Sequence, residues 1–295
     1  MNGGALHLDT AVLFGMGLIF FFHGAALAPQ TLKAEAAKWR VHLAIQATTF
    51  VLFPLLALAA YWSTRSLFEP EARLGFFFLG AVSTTISSSI TLTSVARGNV
   101  AIAIFNATLS GLLGLFLTPL LMGAIGTANN YEISLAHAFA RIFTLLLLPF
   151  IAGQVMRPLV GRRLQAWKRQ TGLFERAVIV LIVLNAFANV TASGLWSDYD
   201  LGTLLMIGAV VALMLGIVIW LTRVLSRVMR LPLTDEIALV FCGSTKSLAN
   251  GAPLAQILFG ATAAGGLILL PLVFYHQLQL IVISAMAQRY AARKL

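Results

Sequence analysis

The chain has 295 residues, of which 59% are hydrophobic and only 10% charged, and it carries a formal net charge of +10. A soluble domain is usually about a quarter charged, so a mean hydropathy of +0.91 points to an all-α polytopic membrane protein and excludes a soluble globular domain. The apolar runs are continuous rather than alternating, which excludes a closed barrel, and the single Cys242 excludes a disulfide framework or a cysteine metal cluster.

Apolar runs long enough to cross a bilayer lie at about 8–27, 40–62, 74–96, 99–125, 133–157, 172–193, 203–226, 235–259 and 262–288. They predict nine transmembrane helices. The first begins near Met1 with neither a basic leader nor an A-x-A cleavage signature, so it reads as a span rather than a removable signal. Basic residues gather in alternate connections: Lys33, Lys38 and Arg40; Arg97; Arg157, Arg162, Arg163, Lys168, Arg169 and Arg176; Arg223, Arg227 and Arg230; and Arg289, Arg293 and Lys294 at the end. The intervening connections hold Arg65 and Arg73 among Glu69, Glu71, Glu132, Asp198 and Asp200. This asymmetry predicts an outside N-terminus and a cytoplasmic C-terminus in a plasma (bacterial inner) membrane. It also accounts for the net charge without a nucleic-acid partner.

No acidic residue falls in the middle of a run, and among the basic ones only Lys246 does, with Arg141 about two turns into the fifth. A long side chain near a span end can reach the interface, which makes Arg141 the weaker candidate. Lys246 belongs to FCGSTKSLANGAP at 241–253, a polar, glycine-punctuated interruption of the eighth run that also holds Ser244, Thr245 and Asn250. A cation at that depth costs about 2.5–3.5 kcal/mol on the insertion scale. Three roles would offset the cost: pairing with an anionic solute, titrating, or standing in the place of a bound cation. A structural bond to unwound carbonyls is the plainer alternative.

A second polar interruption lies in the third run, where TTISSSITLTS carries Ser87, Ser88, Ser89 and Thr91 among other hydroxyls. Hydroxyls in a helix often bond their own backbone or glue helices together. Two interrupted segments at corresponding places in two halves nevertheless point to a transporter built from inverted repeats. Gln46 and Asn106, in the second and fourth runs, and His276, in the ninth, are the other polar candidates for solute or ion binding, each equally able to join helices. A Ser244–Lys246 hydrolytic dyad is disfavoured because residues two apart on a helix do not face each other. No motif for enzyme chemistry accompanies it, and no catalytic residue or cofactor is expected.

The stretches LIFFFHGAALAPQTLKAEAAKWRVHLAIQATTFVLFPLL, SSSITLTSVARGNVAIAIFNATLSGLLGLFLTPLL and FCGSTKSLANGAPLAQILF, in that order, resemble the bile acid:sodium symporter superfamily. The resemblance is closest to its SBF-like branch, which includes the seventh vertebrate solute carrier 10 member. It implies one transporter domain over 1–295, with a first repeat at 1–130 (spans one to four) and a second at 131–295 (spans five to nine). A panel of about 8–27, 133–157 and 172–193 would face a core of about 40–125 and 203–288, with the two broken helices crossing in the core. The family pattern has ten helices, some members nine; here the first panel helix is the one without a counterpart.

The resemblance further implies a secondary transporter of a small organic anion, embedded in lipid and open to pairing as a homodimer. In sodium-coupled members a Glu begins the second break, and a Gln, Ser, Asn and Thr complete the cation sites. Gln46 matches the Gln, and Ser88 and Ser89 fall near the first break's Ser-Asn pair, so a vestigial sodium site is expected there. Phe241, however, stands at the Glu position and Lys246 where those members have Asn. Loss of the buried anion and gain of a buried cation predict altered or absent sodium coupling. A non-transporting regulator of the same fold, acting on calcium or glycosylation homeostasis, is the alternative in a different class.

Overall fold

The structure, a computed structural model, describes residues 8–26, 38–128, 134–194, 199–260 and 262–293. Their regular structure is helical throughout: α1 (Leu8–Ala26), α2 (Trp39–Ser63), α3 (Pro70–Ala81), α4 (Ser87–Val95), α5 (Val100–Ala128), α6 (135–166), α7 (Lys168–Ala192), α8 (Leu201–Val228), α9 (Leu233–Ser244), α10 (Leu248–Phe259) and α11 (Ala263–Ala291). Among the described residues, six continuous helices are long and apolar enough to cross a membrane, within α2, α5, α6, α7, α8 and α11. Thr10–Ala26 is a shorter apolar helix, and the apolar runs at 74–96 and 235–259 are each divided between two helices. This is a multi-pass helical membrane protein. Leu159, Val155, Val228, Leu201 and Leu213 stand outward, as an apolar solvent requires.

One connection differs from its expectation. The basic stretch at 158–171 is almost wholly helical, since α6 continues to Ala166 and α7 starts at Lys168. Arginine, leucine and glutamine are good helix formers, and Pro158 is absorbed inside α6 without ending it. Lys33, Glu132, Asp198 and Lys294 lie outside the described residues.

Proline shapes α2 in a way that matters for the site. Pro54 has no N–H, and the helix widens over Thr48–Leu52 just before it, so that the Phe53 N–H donates to the Thr48 carbonyl five residues back. That register offers the Thr49 carbonyl to residue 54, which has no proton to give. The Thr49 oxygen is left open. The same device recurs in α6, where Phe143–Leu147 widens ahead of Pro149.

Close backbone approach fixes the layers. α1 packs along α6 and, less extensively, α7. A Cβ on Gly24 would lie 2.0 Å from the Phe150 carbonyl oxygen, and one on Gly153 would lie 2.1 Å from that of Phe21. Small residues let two apolar helices gain dispersion contact in lipid, where no hydrophobic force drives them together. The other helices gather around α3 and α9, which are buried along most of their length. α11 packs against α3, α7, α8 and α10 and closes this part of the bundle.

Candidate functional site

The two interruptions meet. α3 ends at Ala81 and α4 begins at Ser87; α9 ends at Ser244 and α10 begins at Leu248, with extended backbone at Val82, Thr245 and Ser247. The Ser247 N–H donates to the Ser83 carbonyl at 2.8 Å, the hydroxyls of Thr84 and Thr245 lie 2.8 Å apart, and the Asn250 amide donates to Ser83 Oγ at 2.9 Å. Ser247 Oγ also caps α10 by accepting from the Asn250 N–H. Breaks of this kind are tolerated inside a membrane protein only where other groups satisfy the freed backbone.

Lys246 does that for the opposite break. Its side chain is fully buried, and Nζ donates to the carbonyls of Gly80 and Val82 at 2.7 Å each and to that of Thr49 at 3.0 Å. Gly80 O is one of the acceptors orphaned where α3 stops, because the Thr84 N–H that would have reached it donates to Ser110 Oγ instead. The neighbouring Ala81 carbonyl accepts from Thr118 Oγ1 at 2.9 Å. Thr49 O is the acceptor left open ahead of Pro54. The negative end of the α3 dipole and three oxygens thus surround one ammonium. The Phe53 ring lies 4.2 Å from Nζ and adds a cation–π contact.

α11 holds the second break from the other side. Tyr275 OH donates to the Ser244 carbonyl. Gln279 Oε1 accepts from the Lys246 N–H at 2.7 Å while its Nε2 donates to the Lys246 carbonyl at 2.7 Å. The half-buried His276 meets the same amide, with Nδ1 at 2.9 Å from Gln279 Nε2.

The structure therefore brings Ser244, Thr245, Lys246, Asn250 and His276 to one place, with Thr49, Ser83, Thr84, Tyr275 and Gln279. Ser244 and Lys246 point apart, since Ser244 Oγ donates back to the Val240 carbonyl at 2.6 Å; the two do not pair. Gln46 and Asn106 form a separate cluster between α2 and α5. Gln46 Nε2 donates to Asn106 Oδ1 at 3.1 Å, and Asn106 Nδ2 lies 2.8 Å from His42 Nδ1. Gln46 Oε1 is buried without a hydrogen-bond partner. Ser88 donates to Thr85 Oγ1, and Ser89 donates back to the Thr85 carbonyl, so both serve the start of α4. Ser87 and Thr91 share the exposed face of α4. Arg141 is half-buried in the second turn of α6. Among the described residues no group of three His, Cys, Asp or Glu side chains is placed to hold a metal ion.

Sequence reasoning missed Gln279 and Tyr275 although both lie in the run that yielded His276. A Gln three residues from a His in an apolar helix was the available signal. The backbone acceptors for Lys246 had no such signal, apart from Pro54.

The sequence has relatives among known proteins. The model of the SBF-like CPA transporter family matches residues 1–292. The chain belongs to that family. An uncharacterized protein of Pseudomonas aeruginosa is 43% identical over 292 residues, covering 97% of this chain and 87% of its own. The protein named "Putative symporter YfeH" of Escherichia coli strain K12 is 39% identical, covering 96% of this chain and 84% of its own. Sodium/bile acid cotransporter 7 of Mus musculus is 28% identical, covering 97% and 85%. The resemblance to SBF-like proteins holds across almost the whole chain, and the family is one of transporters.

Proposed function

We propose that this SBF-like protein is a secondary carrier of a small organic anion in which the Lys246 ammonium takes the place of a coupling cation. One observation carries the reading: three carbonyls, two at the end of the half-helix α3 and one from the widened turn of α2, converge on Nζ as they would on a bound metal ion, within 3.0 Å. A fixed ammonium there satisfies the α3 terminus without sodium, so transport is independent of a sodium gradient. Because its protons are all engaged by carbonyls, Lys246 supports the fold of the site and does not reach the anion directly. The anion is held nearer the N-terminus of α4, which has no side-chain cap and presents Ser87 exposed and Ser88 half-buried.

In this reading α1, α6 and α7 form the panel and the remaining helices the core. The two halves, 1–130 and 131–295, are inverted repeats, and the core moves against the panel around the joined breaks. The N-terminus is outside and the C-terminus in the cytoplasm, in a bacterial inner membrane. The test is uptake of a panel of labelled organic anions by purified protein in proteoliposomes, under sodium, potassium and proton gradients. Uptake of one class without sodium stimulation is expected. Uptake that requires a sodium gradient would overturn the coupling proposed here, and no uptake of any anion would overturn the carrier.

A further inference from the structure

The Gln279 amide has only one orientation open to it. Oε1 accepts from the Lys246 N–H and Nε2 donates to the Lys246 carbonyl, so turning the amide over would set donor against donor and acceptor against acceptor. Its remaining Nε2 proton is directed at His276 Nδ1, 2.9 Å away. That ring nitrogen must accept, and the imidazole therefore carries its single proton on Nε2. Gln279 is fully buried, while His276 is partly open.

We propose that His276 is a proton-binding site coupled to the second break through Gln279, a reading that rests on the carrier function and names what regulates its site. Protonated imidazole donates from both nitrogens. A proton on Nδ1 faces the Gln279 Nε2–H, and the two groups separate. Gln279 cannot yield without releasing the Lys246 N–H and carbonyl together. Proton uptake at one half-buried ring thus frees the backbone of the residue whose side chain joins the two breaks. Gln279 acts here as a positioning residue.

The surroundings leave this ring as the group that titrates. On its own helix Tyr275 is committed to the Ser244 carbonyl, Arg289 and Tyr290 lie at the far end, and Arg293 follows beyond it. From the second break Lys246 turns its ammonium toward α3. α4 and α10 carry no titratable side chain. In the other helices packed on α11, the charged residues stand toward the ends: Glu71 and Arg73 in the first turns of α3, Arg223 and Arg227 in the last turns of α8, and Arg169, Glu175 and Arg176 in the first turns of α7.

The test is amide hydrogen exchange of the full-length protein in lipid nanodiscs, at about pH 8 and about pH 5.5, bracketing ordinary imidazole titration and corrected for the intrinsic rate. In the wild type, amides at 244–251 are expected to exchange about tenfold faster at the lower pH, the scale of releasing two hydrogen bonds. His276→Gln should abolish the step, and Gln279→Ala should exchange fast at both values. An unchanged wild type, or a step retained in His276→Gln, overturns the proposal. Should that variant fail to fold, the wild-type ¹⁵N titration of the His276 ring decides: a midpoint matching the exchange step supports the coupling, and a clearly separate one overturns it. A pH step in a protein that transports nothing would sink the carrier reading alone; transport without a step would sink this one alone.

Discussion

Lys246 Nζ donates to the Gly80 carbonyl at 2.7 Å, so a side chain from the second break terminates the helix that leads into the first. Neither break is complete alone. Removing the ammonium leaves the carbonyls of Thr49, Gly80 and Val82 without that donor in a buried site. At about 1–3 kcal/mol for each unmet group, Lys246→Met should cost several kcal/mol, less whatever is recovered by no longer burying a charge. Phe53→Leu removes only the ring face and should cost less, about 0.5–2 kcal/mol for the cation–π contact plus the lost packing. Thermal unfolding of the purified variants in detergent checks the order.

The position of both breaks is legible in the residue types, because Ser83, Thr84, Lys246 and Asn250 are conspicuous in apolar surroundings. What Lys246 does there is not. Its partners are main-chain oxygens, which every residue possesses, and only three-dimensional placement of α3 and α2 selects them. Gln46 and Asn106 were equally visible as polar residues, yet they pair with each other and His42 rather than with the breaks. Side-chain chemistry shows that a buried polar group needs a partner; helix packing decides which partner it finds.

Glycines set how closely the helices around the site approach. A Cβ on Gly80 would come within 2.3 Å of Ala57 Cβ and 3.1 Å of the Phe53 carbonyl oxygen. Gly80→Ala must push α3 away from α2 and draw the Gly80 oxygen off Lys246, at about 1–3 kcal/mol for overpacking. Gly153→Ala should cost a comparable amount by parting α6 from α1, but leave exchange at 244–251 unchanged. Hydrogen exchange of the two variants separates a local effect at the site from one between α1 and α6.

Far from the breaks, Lys38 and Asp235 form an unequal pair. Lys38 Nζ lies 3.1 Å from Asp235 Oδ2, with the lysine side chain 44% exposed and the aspartate 6%. Asn99 Nδ2 also donates to Asp235 Oδ1 at 2.9 Å. An orphaned Lys38 can turn to solvent, whereas an orphaned Asp235 cannot. Lys38→Met should therefore destabilise more than Asp235→Asn, by about 1–3 kcal/mol, the scale of leaving a buried charge without its partner. Unfolding midpoints at neutral pH check the sign, and equal losses would show that Asn99 alone suffices.

Whether Lys246 stands where a coupling cation would is tested, without knowledge of the solute, by thermal unfolding of the wild type in sodium chloride against potassium chloride at equal ionic strength. A ligand that binds only the folded state raises the midpoint with its concentration. With the three carbonyls already held by an ammonium, the midpoint should be the same in both salts. A midpoint that climbs with sodium but not with potassium would contradict it.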